Sequence, residues 1–148
     1  METRGAIGCE LAAEVNRRFG RLQLLVSGSS MVPAVRPGDV LHVKHSEVGD
    51  LSKGDIVVFR RAGRLIAHRA VRAPGKSGNG LLVTRGDRVR RRDAPILGPE
   101  LLGRVVAIER KGERTNPHTR FDRSRRAIGR LLSFSDRATS LFLRLRAL

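Results

Sequence analysis

Short apolar runs separated by turns fill the middle of the chain. The runs LQLLV, DVLHVKH, DIVVFRR, RLIAHRAV, GLLVTR and LLGRVVAIER are rich in Val, Ile and Leu, and Gly-Asp, Ala-Gly and Gly-Asn pairs separate several of them. Branched apolar residues favour pleated strands, whereas Gly, Asp and Asn favour the turns between strands. The pattern predicts a mainly β protein: a small curled antiparallel sheet or partial barrel with short flanking helices.

The two ends of the chain show helical spacing instead. Leu11, Val15 and Phe19 recur on one helical face and are followed by a glycine, which is typical of a helix C-terminus. After the last apolar β-type run, further apolar residues recur at helical spacing within arginine-rich sequence. We therefore expect three parts: an N-terminal helix over residues 1–20, a β domain over residues 21–112, and a basic linker with amphipathic helices over residues 113–148.

The charge of the chain points to anionic partners. Its formal net charge is +16 over 148 residues, and such an excess attracts nucleic acid or the anionic surface of a membrane. The C-terminal segment would supply a cationic surface through Arg123, Arg125, Arg126, Arg130, Arg137, Arg144 and Arg146. Three interpretations of this segment stay open: helices docked on the β domain, a helix lying on anionic lipid, and a nucleic-acid contact.

Cysteine and histidine content limits the compartment and the chemistry. Cys9 is the single cysteine, so no disulfide within the chain is expected and a reducing compartment fits. There is no run of about 18 apolar residues, as a membrane span requires, and no start resembling a signal peptide. We expect a cytoplasmic protein, with peripheral attachment to a membrane as an alternative. We expect no metal and no cofactor, since no ligand spacing with His68 is found for the other histidines, His42, His45 and His118.

The stretch SGSSMVPAVRPGD crowds hydroxyl groups where an apolar run ends. Ser30 lies in this Gly-Ser bend, and a serine attacks a carbonyl when a base removes its proton and nearby donors hold the oxyanion. His68 in RLIAHRAV is the candidate base, and Asp87 and Asp93 are available to orient its imidazole. Taken singly, each of these residues has an ordinary structural interpretation, as a capped turn or a strand histidine.

Together and in this order, these stretches resemble the signal peptidase I superfamily, which includes the self-cleaving SOS-type repressors. SMVPAVRPGDV looks like its nucleophile box, KGDIVVFR the strand that follows, and LLGRVVAIERKG the closing strand. The pair His68-Arg69 in IAHRAV resembles the archaeal and endoplasmic-reticulum type, in which histidine replaces the lysine base. TRGDRVRRRD resembles the Gly-Asp-x5-Asp box of that type. The resemblance covers about Leu24 to Gly112 and implies the β fold of this superfamily.

The resemblance also implies a catalytic assignment. Ser30 would be the nucleophile, His68 the general base and Asp93 the third member of the triad, with Asp87 as its supporting carboxylate. The activity implied is a serine endopeptidase that cleaves extended peptide segments after small residues.

The resemblance assigns the surroundings of the nucleophile as well. Oxyanion donors would come from Gly28, Ser29 and Ser30, and substrate contacts from Met31 and Pro33. Many signal peptidases carry a second serine at the position of Gly28, whereas the repressors carry glycine there, as this chain does. From the lack of a long apolar run we also expect no membrane anchor of the kind that true signal peptidases use to meet their substrates.

A second class of function stays open beside the peptidase. A non-catalytic basic module on the same fold would contact nucleic acid, an anionic membrane or a partner protein. A self-cleaving repressor is not expected, because the roughly twenty residues before the β region leave no room for a DNA-reading domain.

Overall fold

The computed structural model describes residues 2–75, 79–117 and 127–128. Within these residues are helix α1 (Glu2–Phe19), two helical residues at 127–128, and two short 3-10 turns, Val48–Asp50 and Gly98–Glu100. The seven strands are β1 (Arg21–Leu25), β2 (Val40–His45), β3 (Ile56–Arg61), β4 (Arg64–Arg72), β5 (Val83–Arg85), β6 (Leu101–Arg110) and β7 (Glu113–Thr115).

The strands form one antiparallel sheet in the order β1-β2-β6-β3-β4-β5, with β7 paired to β6. The mainly β, antiparallel class predicted from the sequence is confirmed. The sheet is open, however, and does not curl into the partial barrel that was also predicted. Closure would require the two ends of the strand order, β1 and β5, to pair with each other, and they do not among the described strands. β5 is only three residues long, which gives it few groups with which to extend the sheet.

Two apolar layers cover the centre of the sheet. One cluster contains Val43, Ile56 and Val58, and the other contains Val57 and Phe59. Successive residues of a strand point to opposite faces, so β3 is buried on both sides. This accounts for its uninterrupted apolar run IVVF, where a strand with one wet face would alternate.

Helix α1 is tied to the sheet by side chains that reach backbone carbonyls. Asn16 is fully buried and its Nδ2 donates to the Leu102 carbonyl oxygen at 2.7 Å. The Cys9 thiol donates to the Gly63 carbonyl oxygen at 3.0 Å. The helix ends at Phe19 and is followed by Gly20, whose φ of 73° is a left-handed conformation that favours glycine. Among the described residues, no helix combines the length and apolarity needed to cross a membrane.

Most of the predicted basic C-terminal segment lies outside the described residues. This applies to the seven arginines assigned to its cationic surface: Arg123, Arg125, Arg126, Arg130, Arg137, Arg144 and Arg146.

Candidate active site

Three of the predicted residues form a continuous hydrogen-bonded chain. Ser30 lies in the turn after β1, His68 in the middle of β4, and Asp93 in the loop after β5. The Ser30 Oγ is 3.1 Å from His68 Nε2, and His68 Nδ1 is 2.6 Å from Asp93 Oδ2. An ionised carboxylate only accepts hydrogen bonds, so Asp93 fixes the proton on Nδ1 and leaves Nε2 to accept from the serine hydroxyl. A serine, an imidazole and a carboxylate distant in sequence are therefore aligned for proton transfer.

The strand register positions the imidazole. His68 lies opposite Val57 of β3, and its ring meets that of the buried Phe59 edge-on with the centroids 6.1 Å apart. Ile66 and Ala70 share its face of β4, as strand alternation predicts. Only 9% of His68 is exposed, so its ring is held between the sheet and the Ser30 turn.

Asp93 is held by a residue that sequence reasoning missed. The Thr84 hydroxyl donates to Asp93 Oδ2 at 2.6 Å, and the backbone N–H of Asp93 donates to the Thr84 carbonyl oxygen at 2.8 Å. Thr84 lies in β5 opposite Ala70, which places its side chain on the face of the sheet that carries His68. The sequence offers no signal for this contact, because it depends on the β4–β5 register.

Electrostatics around Asp93 favour its ionised form. Burial disfavours ionisation, but the hydrogen bonds from His68 and Thr84 outweigh that cost. The positive charge of Arg61 adds to them, and together these interactions hold the pKa of Asp93 below its ordinary value. Arg61, at the end of β3, also donates to the carbonyl oxygens of Ala94 and Pro95 at 3.0 Å each. It is thus a second residue that sequence reasoning missed.

Asp87, for which the resemblance implies a supporting role, pairs with Arg69. Its carboxylate accepts two hydrogen bonds from Arg69, from Nε at 2.8 Å and from Nη2 at 2.7 Å. Both side chains are about 95% buried, with 4% of Arg69 and 5% of Asp87 exposed. The structure therefore joins Asp87 to Arg69 rather than to Asp93 or His68. This pair ties the loop after β5 to β4 beside the triad.

The loop after β5 also packs directly on Ser30. The Arg88 backbone N–H donates to the Ser30 carbonyl oxygen at 2.9 Å. A Cβ atom added at Gly86 would lie 2.8 Å from that same oxygen and 3.1 Å from His68 Nε2. Glycine is required there because a side chain would displace the serine, the histidine or both.

The predicted oxyanion residues lie in a bend that is exposed at Gly28 and half-buried at Ser29 and Ser30. The Ser29 hydroxyl accepts from Arg88 Nη1 at 3.1 Å, and the Ser29 carbonyl oxygen accepts from the Val32 N–H at 3.2 Å. Within residues 2–75 and 79–117, the backbone N–H groups of Gly28, Ser29 and Ser30 donate to no protein acceptor. Donors without a protein acceptor beside the Ser30 hydroxyl are what an oxyanion site needs.

The two predicted substrate-contact residues differ in position. Met31 is 97% buried, since only 3% is exposed, and it lines a cleft of about 550 Å³ that also contains Ser30 and His68. Pro33 is buried in the turn that follows and does not line that cleft. Among the described residues, no group of three or more His, Cys, Asp or Glu side chains is arranged to hold a metal ion.

The structure combines an open antiparallel sheet with a hydrogen-bonded Ser–His–Asp chain beside a cleft. The chain belongs to the Peptidase S24-like family, which matches residues 11–106. The match agrees with the resemblance to the signal peptidase I superfamily, and this family includes both serine peptidases and non-catalytic members. No curated protein and no solved structure matches the chain.

Proposed function

We propose that the chain is a serine endopeptidase in which Ser30 is the nucleophile, His68 the general base and Asp93 the residue that orients the imidazole. The observation that carries the proposal is the unbroken hydrogen-bonded chain from Ser30 Oγ through His68 to Asp93. A module that only binds a partner has no need of these three side chains in one line.

The geometry supports acyl transfer in two steps. His68 Nε2 takes the Ser30 proton while Oγ attacks the peptide carbonyl carbon, and the N–H of Ser30 stabilises the oxyanion that forms. His68 then gives its proton to the leaving amine, which breaks the C–N bond and leaves an acyl-enzyme. Water, deprotonated by His68, hydrolyses that ester and restores the Ser30 hydroxyl. Asp93 remains ionised throughout and stabilises the imidazolium.

The cleft beside Ser30 supports a preference for small residues at the cut. It runs between the C-terminal end of β1 and the N-terminal half of β4. Met31, Ala67 and Gly28 are among its lining residues. An extended peptide would bind here by adding to a strand edge, as strand-binding proteins do. The buried side chain of Met31 occupies the space beside Ser30. A large substrate side chain directly before the cut would therefore collide with it.

Labelling with a fluorophosphonate probe tests the nucleophile directly. We expect wild type and the control variant Ser52→Ala, which removes an exposed serine far along the chain, to label equally. Ser30→Ala and His68→Ala should lose the label, and peptides incubated with wild type should yield new termini by mass spectrometry. Equal labelling of wild type and Ser30→Ala would contradict the proposal and would favour the basic binding module.

A further inference from the structure

The cleft beside Ser30 is bordered by two strand edges without a described partner. β1 pairs only with β2, and β5 pairs with β4 only over residues 69–72 of β4. The first half of β4, from Arg64 to His68, therefore faces the cleft with one open edge. Open edges offer unpaired backbone groups to an extended peptide.

The charge of this cleft has one sign. Of the described residues that line it, only Arg64 and His68 carry an ionisable side chain, and none is acidic. Arg64 is exposed at the start of β4, four residues before His68. At about 3.3 Å per residue it lies roughly 13 Å from the imidazole along the strand. A peptide lying in the cleft would bring its fourth residue from the cut close to this guanidinium.

A second hollow, of about 520 Å³, shares Gly28 and Ser30 with the cleft and is also cationic. Gly28, Ser29, Arg88 and Arg90 line it, again without an acidic residue. Arg88 is anchored there by its hydrogen bond to the Ser29 hydroxyl, whereas Arg90 is exposed. A peptide that continues from the cleft past Ser30 into this hollow would come close to these two arginines.

We propose that the substrate is a peptide segment with acidic residues on both sides of a cut after a small residue. The part before the cut would occupy the apolar cleft and place a carboxylate near Arg64. The part after the cut would place one near Arg90. This inference rests on the proposed function, since it names the class of substrate for the same site. Basic segments would be disfavoured, because no carboxylate lines either hollow.

Matched peptides separate this preference from general attraction to a basic protein. Three peptides share one small-residue cut site and carry Asp, Asn or Lys at the fourth position before the cut and at the second position after it. Exposed ion pairs contribute about 0.2–1 kcal/mol, which corresponds to about 1.5- to 5-fold in kcat/KM per acidic residue. We expect the order Asp, Asn, Lys, with the Asp-to-Asn ratio approaching one at about 1 M salt, where the Debye length is about 3 Å.

Variants that each remove one arginine charge then test which arginine contacts each side of the cut. Arg64→Gln should abolish the preference for Asp before the cut and Arg90→Gln the preference for Asp after it. The matched control is Arg21→Gln, which removes the same charge from an exposed strand residue that lines neither hollow. It should leave both ratios as in wild type.

Failure of the substrate class and failure of the proposed function have different signatures. If wild type cleaves the Asp and Asn peptides with equal kcat/KM, or if Arg21→Gln lowers the ratio as much as the other two variants, the acidic preference is overturned and the peptidase stands. If no peptide is cleaved, the peptidase fails, and affinity for the same peptides is measured by fluorescence anisotropy. Tighter binding of the Asp peptide that is lost in Arg64→Gln and Arg90→Gln still supports the cationic hollows as the binding site. Equal affinities overturn it.

Discussion

Removing the Asp87 carboxylate should destabilise the protein more than any surface substitution. Asp87→Ala leaves the Arg69 guanidinium in a site where only 4% of its side chain is exposed and takes away both of its hydrogen bonds to the carboxylate. Arg69 Nη1 keeps its hydrogen bond to the Gly54 carbonyl oxygen at 3.0 Å, but a carbonyl oxygen does not neutralise the guanidinium charge. Breaking a buried pair by removing one partner costs about 3–5 kcal/mol, because an uncompensated charge stays buried. Since whole domains are stable by about 5–15 kcal/mol, this one change should consume a large part of the free energy of unfolding.

Urea denaturation measures this cost, with far-UV circular dichroism as the signal because the chain has no Trp or Tyr. We expect Asp87→Ala to lower the unfolding midpoint strongly. The double variant Asp87→Leu with Arg69→Met should recover most of the loss, since it removes both charges and fills the site with apolar atoms. If Asp87→Ala lowers the free energy of unfolding by less than about 1 kcal/mol, which is the range of exposed ion pairs, the reasoning is refuted. A double variant as unstable as the sum of its single variants would refute it too, since the two residues would then act independently.

Four further outcomes test the triad and its supports. Asp93→Asn should lower kcat by about 10²- to 10⁴-fold because His68 loses the acceptor that fixes its tautomer, while fluorophosphonate labelling slows in parallel; unchanged kcat would contradict the assignment. Thr84→Val, compared with Thr84→Ser, removes a hydrogen bond that lowers the pKa of Asp93, so the pKa of Asp93 should rise in Thr84→Val and circular dichroism melts should lose less stability on acidification than those of Thr84→Ser. Gly86→Ala places a Cβ 2.8 Å from the Ser30 carbonyl oxygen and should cost about 10²-fold in kcat/KM by misplacing the nucleophile, whereas Gly49→Ala, which meets nothing within 4 Å, should not. Because the pKa of Asp93 is depressed in the folded state, its stabilising contribution is full above about pH 4 and is lost as the pH falls through the lowered pKa; circular dichroism melts of wild type should show that loss and those of Asp93→Asn should show less of it.

The apolar runs located the strands because they record a local property. Each predicted run from Leu22 onward contains a strand or part of one, since branched residues and turn pairs act over a few positions. The order of the strands is not local. β6 lies between β2 and β3, and no hydrophobic period encodes these pairings, because β6 follows its two partners by tens of residues in the sequence. For the same reason the sequence could suggest a curled sheet but could not show that β1 and β5 stay apart.

The sequence could predict those site residues that lie in recognisable motifs. Ser30, His68 and Asp93 come from short, ordered stretches, and the structure places them in contact. Thr84 and Arg61 were not found, because a threonine in a strand and an arginine at a strand end are ordinary residues until the register shows what they face. The partner of Asp87 was out of reach for the same reason. Two aspartates in one arginine-rich loop look alike in sequence, and only the fold separates them.

Strand alternation explains why the two aspartates differ in role. His68 and Arg69 are neighbours in β4, so their side chains point to opposite faces of the sheet. The loop after β5 supplies an acid to each face: Asp87 reaches Arg69 on one side and Asp93 reaches His68 on the other. The Arg69–Asp87 pair is almost wholly buried and has no route to a substrate, whereas the His68–Asp93 pair continues to the Ser30 hydroxyl. The loop after β5 thus contacts β4 on both faces. The buried Arg69–Asp87 pair holds this loop in the position from which Asp93 reaches and orients the imidazole of His68.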